Sequence, residues 1–226
     1  MGLTVVNYPD ADDVLGILSV ADMKLQMRIS HDAEDAYFRR CILAAYDWLA
    51  NPENGWLNRA ILTTTYRMTL PGFVKQQVYT DRETGGPAYR WIPTNSIVLP
   101  MPTLQTVGSV KYLVDGTPTT LDTPGYVVTQ DGLFGKIHLA SGASWPTGFD
   151  VNPNAVTIEY TAGYGDADTI KERCPGLVQA MSLLAGDAYR NREDTYAEPR
   201  LVAVNRKIMN GVQFYAGRYR IINRHA

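Results

Sequence analysis

Cysteine and histidine, the residues on which disulfides and many metal sites depend, are scarce in this chain of 226 residues. There are two cysteines, Cys41 and Cys174, and three histidines, His31, His138 and His225. Two cysteines make no disulfide framework, and both lie in apolar helical sequence, which is typical of buried thiols in a reducing cytoplasm. The histidines are scattered, and neither an HxxxH nor a CxxC spacing occurs. We therefore expect no metal site and no cofactor.

Long apolar runs and a large net charge are also lacking. No run approaches about 18 uninterrupted apolar residues, and no basic residue precedes Lys24, so the sequence predicts neither a membrane span nor a signal peptide. The net charge of −2 argues against a generic nucleic-acid binder. With 45% apolar residues, the chain has enough hydrophobic side chains to fold, as one large domain or two small ones.

Catalytic signatures are missing as well. The stretch Ser141–Trp145 does not match the nucleophile elbow G-x-S-x-G, and no nucleotide-binding glycine motif is present. Asp10, Asp12 and Asp13 form a carboxylate cluster, but charge runs of this kind are usually solvated loops. We predict that the chain is not an enzyme. The competing hypothesis, a hydrolase acting through this cluster, predicts that activity is lost when the three aspartates become asparagine.

Helical patterns are found at both ends of the sequence. Ser19 and Asp22 fit a capping box at the start of a first helix, and Asp32 fits the N-cap of a second helix that ends near residue 50. The short connection between them is typical of a helix hairpin. Later in the chain, the pattern predicts a helix over Pro175–Asn191 and a shorter one over Pro199–Met209, which the following Asn-Gly pair ends.

The centre of the chain is rich in β-branched and aromatic residues separated by turn signals. Short strands at this spacing are typical of a small antiparallel sandwich or barrel. Hairpin turns are predicted at Asp115-Gly116 and Asp131-Gly132. The predicted strands are Ala60–Leu70, Ser96–Leu99, Val107–Val114, Tyr126–Thr129, Lys136–Leu139 and Ala155–Tyr160.

The order of these patterns predicts an α+β fold. We expect a small helical bundle, made of the helix hairpin and the C-terminal helices, with an inserted antiparallel β-sandwich or barrel-like region and an extended C-terminal arm. Residues 1–55 are the N-terminal helix hairpin, 56–165 the inserted β region, 166–209 the C-terminal helices, and 210–226 a basic, aromatic docking arm.

Charge is distributed unevenly along the chain. Residues 200–226 contain six basic residues and no acidic residue, so the rest of the chain carries −2 minus +6, which is −8. In the arm, basic residues alternate with aromatic and aliphatic ones. This pattern fits docking into another subunit, folding back on its own domain, or contact with nucleic acid. The apolar members are Phe214, Tyr215, Tyr219, Ile221 and Ile222, and the basic members are Arg218, Arg220 and Arg224.

Six segments resemble those of a known family in the same order along the chain. They are Ser19–Arg28 (SVADMKLQMR), Asp32–Leu49, Ile97–Tyr112 (IVLPMPTLQTVGSVKY), Ala143–Pro146 (ASWP), Tyr160–Gly165 (YTAGYG) and Ala188–Glu193 (AYRNRE). Together they resemble the head–tail connector proteins of tailed bacteriophages, also called adaptor or head-completion proteins. The resemblance covers residues 15–195 and departs at the C-terminus, because family members often end soon after their fourth helix.

The resemblance implies a structural protein of the virion, located at the head–tail interface and made in the cytoplasm of a bacterial host. About twelve copies would form a ring under the portal, extend the DNA channel and give the tail a docking surface. The implied partners are the portal protein, neighbouring copies, the next tail or stopper component, and double-stranded DNA that passes through the lumen without sequence-specific binding; no membrane is implied. An acidic body fits such a lumen, because bound phosphates would slow the passage of DNA.

Two groups of residues are candidate contact sites. In the ring, arginines of the second and third helices are expected to pair with carboxylates of a neighbouring copy, unless they are simply solvated. These subunit-contact candidates are Arg39, Arg40, Arg190 and Arg192. The portal-docking candidates are Phe214, Tyr215, Arg218, Tyr219, Arg220 and Arg224.

A second hypothesis, from another class of protein, is a β-sandwich module that binds carbohydrate or peptide in another virion component. The aromatic residues Tyr79, Tyr89, Trp91 and Trp145 would stack on such a ligand, or else they belong to the core. A titration of tryptophan fluorescence separates the two cases, because a core tryptophan does not respond to glycans.

Overall fold

The computed structural model describes residues 2–80, 87–130, 134–150, 152–192 and 199–222. Within these ranges the chain forms two compact units, one built from residues 2–7 and 65–162 and the other from residues 8–64 and 163–222. Helices and antiparallel strand pairs are both abundant, so the predicted α+β class is confirmed. Among the helices in these ranges, none has the length and apolar character that crossing a bilayer requires.

The first unit is built around β-strands, and ten are found within the described ranges. They are β1 (Gly2–Asn7), β2 (Thr64–Leu70), β3 (Val74–Thr80), β4 (Pro87–Pro93), β5 (Ser96–Val98), β6 (Leu104–Val114), β7 (Thr117–Thr120), β8 (Tyr126–Thr129), β9 (Lys136–Leu139) and β10 (Val156–Ala162). A five-stranded sheet has the order β1-β2-β10-β6-β7, a three-stranded sheet has the order β5-β9-β8, and β3 pairs with β4. The predicted sandwich or barrel-like region thus takes the form of three sheets.

The register of the central strands of the five-stranded sheet is fixed by an alternation of buried and less buried side chains. Every second residue of β2 and of β10 is buried, as expected for strands with one covered face. On that face the rings of Tyr66 and Tyr160 stack with centroids 5.7 Å apart. Arg67, which is one residue beyond Tyr66, donates to the carboxylate of Glu159 with an Nη2–Oε1 distance of 2.7 Å. Apolar and charged cross-strand pairs therefore both support this register.

The turn between β6 and β7 confirms one of the two predicted hairpin turns. Asp115 and Gly116 have φ angles of 48° and 74°, the left-handed conformation that a two-residue hairpin loop requires. The carboxylate of Asp150 accepts from both backbone N–H groups, at 3.1 and 2.8 Å. The second predicted turn, Asp131-Gly132, lies outside the described residues.

The second unit is helical, and six α-helices are found within the described ranges. They are α1 (Ala11–Ile17), α2 (Val20–Met27), α3 (Asp35–Ala50), α4 (Ala167–Arg173), α5 (Pro175–Arg190) and α6 (Pro199–Ala216). Helix α3 packs on α5, and α5 packs on α6. Apolar residues at three- and four-residue spacing form the shared core, because that spacing places them on one face of each helix. The core residues of α3 and α5 include Phe38, Ile42, Ala45, Leu49, Leu177, Met181 and Ala185.

The helix hairpin starts as predicted, but its second helix begins later than expected. The Ser19 hydroxyl accepts from the backbone N–H of Asp22 at 3.1 Å, and the Asp22 carboxylate accepts from the N–H of Ser19, so the predicted capping box is confirmed. The predicted N-cap at Asp32 is wrong, because Glu34 occupies the position before α3. The carboxylate of Asp32 instead accepts from the ammonium of Lys24 on α2. A contact between two elements has replaced the local cap.

The N-terminal segment contains structure that the sequence analysis assigned to a loop. Strand β1 and helix α1 both precede the first predicted helix. Asp10 caps α1, accepting from the backbone N–H groups of Asp12 and Asp13 at 2.9 and 2.8 Å. Asp13 in turn accepts from the N–H of Asp10, which completes a capping box. The expected loop is therefore wrong, since all three aspartates lie at the start of a helix, although all three are exposed to solvent as predicted.

Residues 210–222 do not form an extended arm, which corrects the prediction for the described part of residues 210–226. Helix α6 continues through Asn210 and Gly211 to Ala216, and a 3₁₀ turn follows at Gly217–Tyr219. Glycine inside a helix costs about 1 kcal/mol relative to alanine, but burial of apolar residues one turn apart offsets it. Val212 and Ala216 are both fully buried. Gly211 also fits this packing, because a Cβ there would lie 3.1 Å from a methyl carbon of Leu183 on α5.

Candidate interaction surfaces

The residues after α6 fold back onto their own unit. We call residues 217–222 the C-terminal segment. The backbone N–H of Ile221 donates to the carbonyl of Leu57 at 2.9 Å, and the side-chain amide of Asn58 donates to the carbonyl of Ile221 at 2.9 Å. Ile221 is 6% exposed. Backbone pairing and burial together anchor this segment, so self-packing, one of the three possibilities left open for the tail, describes its conformation in this structure.

A buried arginine forms the inner part of this anchor. Arg59 is 4% exposed, and its Nη1 donates to the carbonyl of Tyr219 at 3.4 Å. The guanidinium lies 4.4 Å from the ring centre of Tyr164, whose ring meets that of Tyr219 edge to face. Burial lowers the pKa of Arg59 and raises the pKa of Tyr164. An aromatic face and a backbone carbonyl thus surround the cation, which ties the C-terminal segment to the core.

The three aromatic docking candidates lie in two different environments. Phe214 is 80% exposed and Tyr215 is 38% exposed, and their rings pack edge to face with centroids 5.1 Å apart. Tyr219, in contrast, is buried, with 8% exposed. An aromatic pair left this open to water is a candidate contact for another molecule, whereas Tyr219 holds the segment in place.

The arginine docking candidates lie over aromatic rings of their own chain. Arg218 lies over the ring of Tyr219 at 4.7 Å and donates to its hydroxyl. Arg220 lies over the ring of Trp56 at 4.5 Å and donates through Nε to the Trp56 carbonyl at 3.1 Å. Both arginines remain exposed at the surface. The last candidate, Arg224, lies outside the described residues.

The subunit-contact arginines are also partly engaged within the chain. Arg39 pairs with Asp12, with an Nη2–Oδ1 distance of 3.1 Å, and both side chains are largely exposed. The guanidinium of Arg40 lies 4.8 Å from the ring centre of Tyr37. Arg190, at the end of α5, is exposed. Exposed pairs of this kind contribute under about 1 kcal/mol, so these side chains are available to a neighbour at small cost.

The fourth arginine belongs to a cluster that joins the end of α5 to the start of α3. Arg192 and the hydroxyl of Tyr189 both donate to the carboxylate of Glu34. The ring of Tyr189 stacks on Phe38, with centroids 4.2 Å apart, and Arg192 lies 4.5 Å from the ring centre of Tyr37. Hydrogen bonds from Tyr189, and then from Arg192, hold the pKa of Glu34 below its ordinary value. The cluster therefore connects the end of α5 to the start of α3 within one chain.

The geometry does not favour the hydrolase hypothesis. Asp10 accepts from backbone N–H groups in the first turn of α1, Asp13 accepts from the N–H of Asp10, and Asp12 pairs with Arg39, so each aspartate of the hydrolase cluster has a structural role. Within the described part of the chain, no three His, Cys, Asp or Glu side chains are grouped as a metal site. These contacts leave the hydrolase hypothesis without an arrangement of groups for general acid and base catalysis.

The aromatic residues of the binding-module hypothesis are only partly described. Trp145 stacks on Phe73 with centroids 4.6 Å apart and an angle of 6° between the rings. Its indole N–H donates to the carbonyl of Thr94 at 2.5 Å. Trp145 is therefore part of the packing of the first unit. The side chains of the other candidates, which lie on β3 and β4, are outside those that the structure describes; they are Tyr79, Tyr89 and Trp91.

The sequence analysis missed a cleft between α1 and the C-terminal half of α3. Its volume is about 270 Å³. Apolar side chains, including Val14, Leu43 and Tyr46, form most of its wall, and Asp10 and Asp47 add carboxylates. We call it the acid-rimmed cleft. The aspartates at positions 10–13 were a signal, but the cleft exists only because α1 packs on α3, and α1 itself was not predicted.

Solved structures share this fold, whereas no protein-family model and no curated protein matches the chain. The chain is similar to a chain in the neck of the empty gene transfer agent (GTA) particle, computed with C6 symmetry, with a TM-score of 0.65 and 22% identity over 99% of this chain and 97% of that one. A chain in the virion of the native GTA particle gives a TM-score of 0.63 and 22% identity over 100% of both chains. A chain in the neck of the native GTA particle, computed with C12 symmetry, gives a TM-score of 0.57 and 20% identity over 99% of this chain and 97% of that one. This chain thus shares, over its whole length, the fold of chains from the neck and virion of GTA particles.

Proposed function

We propose that this chain is a structural component of the neck of a tailed-phage or phage-like particle, acting as a head–tail connector. Copies form a ring under the portal, extend the DNA channel and give the next tail or stopper component a docking surface. The observation that carries the proposal is the likeness of the whole fold, over 97% or more of both chains, to chains of GTA particles. Two of those structures were computed with C6 and C12 symmetry, which supports a closed ring with twelve as the expected copy number.

The charge distribution supports the same function. Residues 1–199 carry −8, since the whole chain carries −2 and residues 200–226 carry +6. Lumen walls with this sign let double-stranded DNA slide without sequence-specific binding, because contacts between phosphates and basic side chains would hold it back. The proposed location is the virion, at the head–tail interface, after synthesis in the host cytoplasm.

The proposed contact with the portal is made by the exposed side chains at the end of α6 and in the C-terminal segment. Phe214 and Tyr215 offer aromatic surface, and Arg218 and Arg220 offer guanidinium groups, the residue types that interface cores favour. Tyr219 contributes indirectly, because its buried ring packs under the guanidinium of Arg218. Arg224 is the further candidate beyond the described residues.

The test is a binding assay of the purified chain with isolated portal rings, observed by electron microscopy. Removing everything after Asn210 would also remove the buried Val212 and Ala216, so point variants are the sharper tool. Phe214→Ser alters a side chain that is 80% exposed, and Val127→Ser on β8, which is 51% exposed, is the matched control. We expect the wild type and V127S to decorate the portal as a ring, and F214S to bind at least about tenfold more weakly. A wild type that leaves the portal bare contradicts the proposed function.

A further inference from the structure

One surface of the helical unit combines an exposed apolar side chain with a cation. Leu25 on α2 is 80% exposed, which is far more than a leucine in a packed helix usually shows. Arg28 is the C-cap of the same helix and is exposed, and its guanidinium makes no hydrogen bond or ion pair to the part of the chain that the structure describes. We call these two side chains the α2 knob. It presents the apolar side chain of Leu25 and the positive charge of Arg28.

The acid-rimmed cleft has the complementary character. The cleft opens to solvent, although Val14 and Tyr46 in its wall are themselves largely buried. Asp10 and Asp47 line it, and their carboxylates accept from N–H groups and pair with no cation among the described residues. Arg39 is a nearby cation on α3, and it is already paired with Asp12. The cleft therefore retains a net negative charge over an apolar surface.

The α2 knob and the cleft of one chain lie near opposite ends of α3. Lys24, beside the knob, donates to Asp35 at 2.9 Å, and Asp35 is the first residue of α3. The cleft begins at Leu43 and includes Asp47. At about 1.5 Å per residue, twelve residues from Asp35 to Asp47 span about 18 Å. No side chain of the knob reaches that far, so these complementary surfaces meet only between two copies.

We propose that the acid-rimmed cleft of one copy receives the α2 knob of the next copy. Leu25 enters the apolar part of the cleft, and the Arg28 guanidinium bonds to Asp10 or Asp47. A dry cavity of about 150 Å³ accepts benzene, so a cleft of about 270 Å³ has room for a leucine side chain and part of an arginine. Knob and cleft are different surfaces of one chain, so the contact is head to tail, the kind that closes into a ring. This inference depends on the proposed function, because it names the contact between copies of the proposed ring.

The first test exchanges the charges across the contact. Arg28→Glu and Asp47→Arg each place like charges together, so we expect each to raise the concentration at which rings form by at least about tenfold. The double variant R28E/D47R restores the pair and should return assembly towards the wild-type value. Arg173→Glu, which alters an exposed arginine in the last turn of α4, is the matched control and should assemble normally. Mass photometry reports assembly, and circular dichroism verifies that each variant is folded.

The second test joins the two surfaces covalently. Mild oxidation of L25C/D47C should produce a ladder of multimers on a denaturing gel, because the two positions are too far apart to join within one chain. Each single variant should stop at dimers, since the native Cys41 and Cys174 are buried. If wild-type rings form but the ladder is absent and R28E assembles normally, the inference is wrong and the proposed function stands. If the wild type forms no rings, alone or on portal rings, both are wrong.

Discussion

Replacing Gly176 with alanine is expected to destabilise the protein, although alanine is the better helix former. Gly176 lies in the first turn of α5, close to the end of α6. A Cβ at this position would lie 2.6 Å from the carbonyl oxygen of Tyr215 and 3.6 Å from a ring carbon of Tyr219. Alanine gains about 0.5–1 kcal/mol in helix propensity, but the atom at 2.6 Å meets backbone and forces α6 to shift. Overpacking of this kind costs about 1–3 kcal/mol, so we expect a net loss of about 1–2 kcal/mol.

The same substitution at Gly186 is the matched control in the same helix. A Cβ there would lie 3.6 Å from the sulfur of Met27 and 3.8 Å from the terminal carbon of Met23. These are ordinary van der Waals distances to the ends of flexible side chains, so nothing opposes the gain in helix propensity. We expect Gly186→Ala to stabilise the protein by about 0.5–1 kcal/mol.

Thermal unfolding followed by circular dichroism measures both effects. A change of 1 kcal/mol shifts Tm by about 2–4 °C in a protein of this size, so G176A should lower Tm by about 2–8 °C and G186A should raise it by about 1–4 °C. Hydrogen exchange should show the loss in G176A concentrated in α6. A G176A variant at least as stable as the wild type would refute the close approach of α5 and α6 at this glycine.

Three further experiments test other parts of the structure. Glu34→Gln removes the carboxylate that accepts hydrogen bonds between the start of α3 and the end of α5. The pKa of Glu34 is lowered in the folded state. Its contribution to stability is therefore present above the ordinary glutamate pKa and is lost as pH falls through the lowered pKa. Urea unfolding should therefore show E34Q to be less stable than the wild type at neutral pH, with the difference vanishing in acid; a constant difference would contradict this account. Ile221→Ala should lower the free energy of unfolding by about 2 kcal/mol, measured by chemical denaturation, because Ile221 is buried. Phe214→Ser should change it by less than about 0.5 kcal/mol, because Phe214 is exposed. Equal effects would show that the C-terminal segment is not anchored. Gly116→Ala should cost about 1–2 kcal/mol of stability, because φ is 74° and no neighbour lies within 4 Å of the added Cβ, so only backbone strain acts. Replacement by Asn, which tolerates this conformation, should cost less. A G116A variant as stable as the wild type would exclude the left-handed turn.

Features set by residues close together in the sequence could be predicted without the structure. The capping box at Ser19 joins groups three residues apart, and the turn at Asp115-Gly116 depends on the conformational preferences of those two residues. Pro175 marks the start of α5 for the same reason, since proline is well tolerated only in the first turn of a helix. The α+β class followed from the change of hydrophobic period along the chain.

Contacts between distant residues determined the rest. Asp32 was available as a cap, but Lys24 on the neighbouring helix engages it, and α3 begins later. Gly211 resembles a helix end, but the burial of Val212 and Ala216 against the unit carries α6 past it. The acid-rimmed cleft likewise arises only where α1 packs on α3. For Asp32 a charged partner on another helix decides the outcome. For α6 and the cleft, local preference amounts to about 1 kcal/mol, and apolar burial of about 25 cal/mol per Å² exceeds it once the chain folds.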